Sequence, residues 1–261
     1  MTQATGLIFK FTKRNPFVEL KNLVVTALAF FSCFILIIIV TLVLYAPAPH
    51  PPSSVECTAD PQQTVIQLPS PNYSGLTVEE AIKARRSVRS YSNESISLQE
   101  LSELLFAAQG ITDSEMGFRA APSAGALYPL TIYIQPNRVE GVSCGIYRYE
   151  PSTHSLYLAK EGNYSRAVFE AAGSQAWVYD AAAVIIFTAN YSKTEAKYGS
   201  DAERYILMET GHASENLLLE AASLGLAAVP VGGINQQAFN ELLNLTPAQK
   251  TLYINCVGKK R

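Results

Sequence analysis

Leu23 to Tyr45, LVVTALAFFSCFILIIIVTLVLY, is an unbroken run of 23 residues without a charged side chain. Wound as a helix at 1.5 Å per residue it spans about 34 Å, enough to cross the roughly 30 Å hydrocarbon core of a bilayer. A helix apolar around its whole circumference is ill suited to the wet surface of a globular domain. The run therefore divides the chain into an N-terminal segment, residues 1–22, a transmembrane anchor, residues 23–45, and everything that follows. Lys10, Lys13, Arg14 and Lys21 precede the run, whereas no Lys or Arg follows it until Lys83. This asymmetry predicts a single-pass membrane protein with its N-terminus in the cytoplasm and its C-terminal part outside. A cleaved signal peptide is the rival, since Ala46-Pro47-Ala48 has small residues at the right spacing. The apolar run is too long for that, and Pro49 would follow the cut, so an uncleaved anchor is expected.

Residues 46–68, APAPHPPSSVECTADPQQTVIQL, are rich in Pro and Ser and lack apolar periodicity, which predicts an extended tether. Residues 69–261 are left for one globular domain, long enough to bury a core of its own. A net charge of −2 with 16% charged residues excludes a basic nucleic-acid face and a disordered chain. Five of the twelve asparagines, Asn72, Asn93, Asn163, Asn190 and Asn244, open Asn-x-Ser/Thr sequons, in keeping with an exported domain. The four cysteines fit no metal spacing. Cys144 and Cys256 fall in or beside probable strands, where small buried thiols are common.

Within the domain, helices and strands follow one another without repeats. Thr77 with Glu80, and Ser97 with Glu100, have capping-box spacing and predict helices from Val78 to about Arg86 and from Leu98 to a stop at Gly110. LTIYIQ at Leu130 reads as a strand, and GIYRYEPSTHSLYLA at Gly145 as a hairpin. AAAVIIFTA, Ala181 to Ala189, suits a buried central strand. The longest helix is expected over Asp201–Leu226, a short one near Gln236–Leu243, and a last strand over Thr251–Gly258. The sum is an α+β sheet flanked by helices.

Chemistry is harder to place. There is no dinucleotide-binding glycine fingerprint, P-loop, zinc-protease helix or nucleophile elbow. His50, His154 and His212 fall in the tether, a turn and a helix, poor material for a metal site. What remains is cationic and small. Arg85, Arg86 and Arg89 surround Ser87 at a helix end, and Lys259-Lys260-Arg261 close the chain. Between them RAAPSAGALYP, starting at Arg119, offers backbone N–H groups with almost no side-chain bulk. Basic clusters and a bulk-free loop suit a phosphate and a flat ring system.

Taken in order, RRSVRSY, RAAPSAGALYP, GIYRYEPSTHSL, KYGSDAERYILMETGHASENLLLEAASLGL and VPVGG resemble the nitroreductase-like FMN-dependent oxidoreductases, and within them the SagB/ThcOx-type dehydrogenases. The resemblance implies a nitroreductase-like α+β fold, FMN as cofactor and a homodimer with the flavin at its interface. It implies that Arg85, Arg86, Ser87 and Arg89 hold the phosphate and ribityl chain, with Lys259 and Lys260 as further phosphate contacts. Pro122, Ser123, Ala124, Gly125 and Ala126 are expected along the flavin, and Pro230, Val231, Gly232 and Gly233 near its ring. Lys197-Tyr198 matches the pair expected to act as acid and base when azoline rings in peptides are oxidised; the alternative is that Lys197 caps a surface loop. His212 is expected to be structural. The implied activity moves hydride between a small-molecule or peptide substrate and FMN. The alternatives are an NAD(P)H-dependent nitro or quinone reductase, with membrane quinone as a further electron partner, and a flavin-binding module without catalysis.

Overall fold

The computed structural model describes residues 64–261 except residue 73, together with Leu28, Phe31, Ser32, Phe34 and Ile35. Those five are helical and exposed. The rest of the expected anchor, the N-terminal segment and most of the tether lie outside the described residues. Among the described residues no helix is long and apolar enough to cross a membrane. The chain parts into two units, Met1–His50 and Pro51–Arg261, and the second carries the fold.

Among the described residues nine strands are formed: β1 (Val65–Gln67), β2 (Ile111–Asp113), β3 (Phe118–Arg119), β4 (Leu130–Pro136), β5 (Gly145–Glu150), β6 (Ser155–Glu161), β7 (Ala183–Asn190), β8 (Ala227–Val231) and β9 (Gln249–Gly258). Seven of them make one sheet in the order β1-β6-β5-β4-β7-β9-β8, every neighbouring pair antiparallel. β2 and β3 pair separately. In β7, Ala183, Ile185, Phe187 and Ala189 face one core cluster while Val184 and Ile186 face the other. Burial on both faces explains why this strand reads as one apolar run instead of an alternation.

The first face carries α2 (Leu98–Gln109) and α6 (Ala202–Ser223), which bring Leu101, Leu104, Ile206, Ala213 and Leu217 onto the sheet. α1 (Val78–Ala84) packs on α6. On the second face, α3 (Ser165–Ala171), α4 (Ala176–Asp180) and α7 (Gln236–Leu242) bury Val168, Val178 and Phe239. α5 (Tyr191–Tyr198) follows β7 directly, N-capped by Asn190. Both capping boxes form as expected, Thr77 with Glu80 and Ser97 with Glu100.

Three features depart from the sequence reading. Residues 65–67, assigned to the tether, form β1 against β6. With three residues and only Ile66 buried, that strand has too short a pattern to announce itself. Pro230 and Val231, expected in a loop, end β8, and Pro is tolerated because β8 is an edge strand. Cys144, read as a thiol, is disulfide-bonded; Cys256 is free and buried, as expected. His154 sits in the β5–β6 turn at φ 46°, its ring within 2.9 Å of Tyr149 Oη and 2.7 Å of Ser102 Oγ. It clips the hairpin to α2, a structural task.

Candidate functional site

The register gathers three segments at one end of the sheet. Leu130 at the start of β4 pairs with Ala189 near the end of β7, and Asn190 pairs with Gln249 at the start of β9. β8 runs antiparallel to β9 and ends at Val231 against Ile254. The Ala/Gly loop before β4, helix α5 after β7 and Gly232-Gly233 after β8 therefore all leave the sheet in the same direction.

The loop is built from strained backbone held by its own side chains. Gly125, Ala126 and Tyr128 adopt φ values of 61°, 53° and 47°, and for a residue with a Cβ each such conformation costs about 1 kcal/mol. Ser123 Oγ accepts a hydrogen bond from Tyr128 N (2.9 Å), and Tyr128 Oη accepts one from Arg119 N (3.1 Å). The Arg119 guanidinium lies over the Tyr128 ring at 4.7 Å. At Gly125 a side chain is excluded for a second reason. A Cβ there would fall on Lys197 Nζ and within 2.6 Å of Tyr198 Oη. The two residues at the end of α5 thus rest on the loop, Lys197 Nζ 5.4 Å from the Tyr198 ring and Tyr198 edge-on to Tyr205 at 4.9 Å. Lys197 lies exposed in the last turn of the helix, with its amine on the loop.

Behind the loop stands Glu209 of α6, 2% exposed. Burial pushes its carboxyl up to about 7, against the pull of Ser123, Arg119 and Gln109. Its Oε1 and the Gln109 amide nitrogen have no hydrogen-bond partner, so the two buried groups approach without completing a bond. Sequence reasoning passed over Glu209, although a carboxylate one turn from Ile206 and Ala213 on an apolar stripe is the signal that singles it out.

The cationic residues divide. Residues 87–91 run along the edge of the sheet: Ser87 bridges Ala228, Val88 N donates to Ala228 O (2.9 Å) and Tyr91 bridges Lys260. Arg85, Arg86 and Lys260 thereby line one cavity of about 130 Å³, with Val88 and Ala228 in its wall. Arg85 also pairs with Glu215 at 3.1 Å. Lys259 is not brought there; it pairs with Glu100 at 2.5 Å, and Arg89 lies over Trp177 at 5.5 Å. From Ala228 to Gly232 the strand advances about 13 Å. A cationic cavity at one end of β8 and positions without a Cβ at the other fit a phosphate-bearing flat cofactor. Arg85, Arg86 and Lys260 would hold the phosphate, and Gly125, Gly232 and Gly233 would border the ring, Gly233 with open space at its Cβ position.

A second cavity, of about 450 Å³, lies between residues 74–81, α2 and α6. It is lined by Glu103 and Glu220, the latter pushed up by burial and by Glu103, and by none of the cations. That acidic lining makes it unfit for a phosphate. His212 is exposed on α6, and among the described residues no cluster of His, Cys, Asp or Glu could hold a metal.

The nitroreductase family model matches residues 82–259. The chain belongs to the nitroreductase family. A candidate nitroreductase of Methanocaldococcus jannaschii is 38% identical over 195 residues, covering 75% of this chain and 97% of that protein. A solved candidate nitroreductase from Ralstonia eutropha shares the fold at a TM-score of 0.70 and 28% identity, covering 78% of this chain and 93% of its own. One from Anabaena variabilis, TM-score 0.67 and 30% identity, is longer: the match covers 76% of this chain and 42% of that one. The Escherichia coli microcin synthetase complex, solved with a truncated precursor peptide, contains a chain of the same fold at a TM-score of 0.61 and 20% identity. This nitroreductase-family protein is an oxidoreductase of a flavin-dependent family, and its α+β sheet flanked by helices is the family fold.

Proposed function

We propose that the protein is an FMN-dependent dehydrogenase of the SagB/ThcOx type, taking hydride from a small-molecule or peptide substrate. The observation that carries this reading is the meeting of Lys197 and Tyr198 with Gly125. Oxidising a carbon beside a heteroatom removes a hydride and a proton together, so a site needs a proton acceptor at the place where the flat cofactor is bordered. Bound FMN supplies the two-electron centre for the hydride. The proton goes to the Lys197–Tyr198 pair, whose Nζ and Oη both meet Gly125 and whose tyrosine ring stands edge-on to Tyr205.

Lys197→Ala is expected to keep its flavin and to lose about 100-fold or more of its turnover on a thiazoline-containing peptide. Unchanged turnover with flavin retained would remove the pair from the chemistry. Anaerobic addition of NADPH separates the main alternative. Bleaching of the flavin band at rates faster than any organic donor achieves would make the protein an NAD(P)H-dependent reductase.

The membrane anchor at Leu23–Tyr45, with the catalytic domain outside the cytoplasm, belongs to the same proposal. Two observations support it. Cys144 is disulfide-bonded, as befits an oxidising compartment. Asn72, Asn93, Asn163 and Asn244 of the five sequons are exposed. In that setting membrane quinone is the expected electron acceptor. A phosphatase reporter fused after Arg261 should be active only if the domain is exported; an inactive fusion beside an active cytoplasmic reporter reverses the topology. A homodimer completes the reading. Val78 and Ile82 on α1 and Leu207 and Met208 on α6 are each at least half exposed, an apolar face that a second copy would cover.

A further inference from the structure

A third cavity, of about 170 Å³, opens beside the Ala/Gly loop between Tyr128, Leu130 and Ile132 on one side and Tyr149, Glu150 and Pro151 on the other. Arg119, Arg148 and Lys193 all line it. Arg119 is the unusual member. Among the described residues its side chain makes one hydrogen bond, from Nη1 to Gln109 Oε1 (3.0 Å), and no ion pair. The guanidinium therefore lines the cavity as a positive charge that no carboxylate of the described residues pairs with. Arg148 pairs with Glu150 at 3.3 Å. Burial pushes the Glu150 carboxyl up, but its bonds from Ser152 and the nearby Arg148 and Arg119 outweigh that and hold it below the usual range. Three cations thus line the cavity with one carboxylate, and Glu209 is buried beside Arg119. Even with Glu209 ionised the surroundings keep a net positive charge.

The position of the cavity gives that charge a use. Lys193 and Lys197 are four residues apart on α5, hence on the same face and about 6 Å apart along the axis. Tyr128 lines the cavity and closes the loop that carries Gly125. The cavity is therefore lined by the helix that carries Lys197, through a residue one turn before it.

We propose that this cavity is a substrate-anion subsite, and that the protein selects substrates bearing a carboxylate a few bonds from the carbon that is oxidised. The inference rests on Lys197 marking the reacting position. A guanidinium presents a planar fork that matches a carboxylate, and the cavity has room for that group and a few attached carbons.

Calorimetric titration of the flavin-loaded, full-length protein in detergent tests it, using sodium malonate as probe and malonamide as its neutral counterpart. Malonate should bind saturably, malonamide should not, and Arg148→Gln should weaken malonate at least 10-fold without changing flavin content. Arg119→Gln should weaken it as much or more; because Arg119 also supports Tyr128, Arg148→Gln keeps the test meaningful if that protein misfolds. Absence of saturable malonate binding, equal binding of malonamide, or insensitivity to Arg148→Gln overturns the proposal. So does tighter binding of inorganic phosphate than of malonate, which would assign the cavity to phosphate esters. The readout needs no turnover, so malonate binding in a protein whose Lys197→Ala variant is fully active would leave the subsite standing while the assignment of Lys197 fails.

Discussion

Gly125→Val should reduce turnover by about 100-fold or more and lower flavin content, while leaving the sheet folded. Two independent physical effects converge at this position. The backbone sits at φ 61°, which for a β-branched residue costs about 1–2 kcal/mol. The added carbons would also fall where Lys197 Nζ and Tyr198 Oη now lie, so the loop and the end of α5 must separate. The first effect alone would only lower stability. Gly117→Val provides that comparison: its φ is 69°, and nothing lies within 4 Å of its Cβ position. Both variants should lose stability in urea denaturation, Gly125→Val the more, but only Gly125→Val should lose flavin absorbance relative to protein and turnover on a thiazoline-containing peptide. If Gly125→Val keeps flavin and activity at the level of Gly117→Val, the loop is not the cradle.

The contrast between these two glycines illustrates how far the sequence could be read. RAAPSAGALYP announced a stretch without bulk, yet only the fold shows what leans on it. Elements whose signal is local were legible. The capping boxes at Thr77 and Ser97 formed because the groups involved are three residues apart, and β7 was visible because burial on both faces leaves no polar residue in its middle. α5 was not legible: YSKTEAKY is eight residues long, with only Tyr191 and Thr194 buried, too little for an apolar stripe. The cationic clusters were legible only in part, for another reason. Lys259 and Lys260 are adjacent, but in an extended chain neighbouring side chains point to opposite sides. Lys260 joins Arg85 and Arg86, and Lys259 reaches Glu100 on the other side. Counting charges at a chain end cannot tell the two apart; the pairing of Tyr91 with Lys260 does.

Glu209 yields the second large effect, as a dependence of stability on pH. Its folded pKa of about 7 lies above the 4.5 of an exposed glutamate, because burial disfavours the charged form more than Ser123, Arg119 and Gln109 favour it. The folded state therefore holds a proton that the unfolded chain releases between these two values. Stability from this group is complete below about pH 4.5, falls as pH rises, and is gone above about pH 7, a loss of about 3 kcal/mol. Other groups act over the same range. Glu220, also raised by burial and by Glu103, adds in the same direction. His154, lowered by burial, opposes it, since its folded form resists protonation as pH falls. The comparison must therefore be made against Glu209→Gln, which keeps the size of the side chain and cannot ionise. Urea denaturation at pH 5 and pH 8 should show the wild type losing about 3 kcal/mol more than the variant across that interval, with the variant the more stable at pH 8. Equal losses in both proteins would mean that Glu209 is compensated when ionised, by Arg119 turning toward it. In that case Arg119 would be paired, the positive surplus of the neighbouring cavity would shrink, and malonate binding there should weaken as pH rises from 5 to 8.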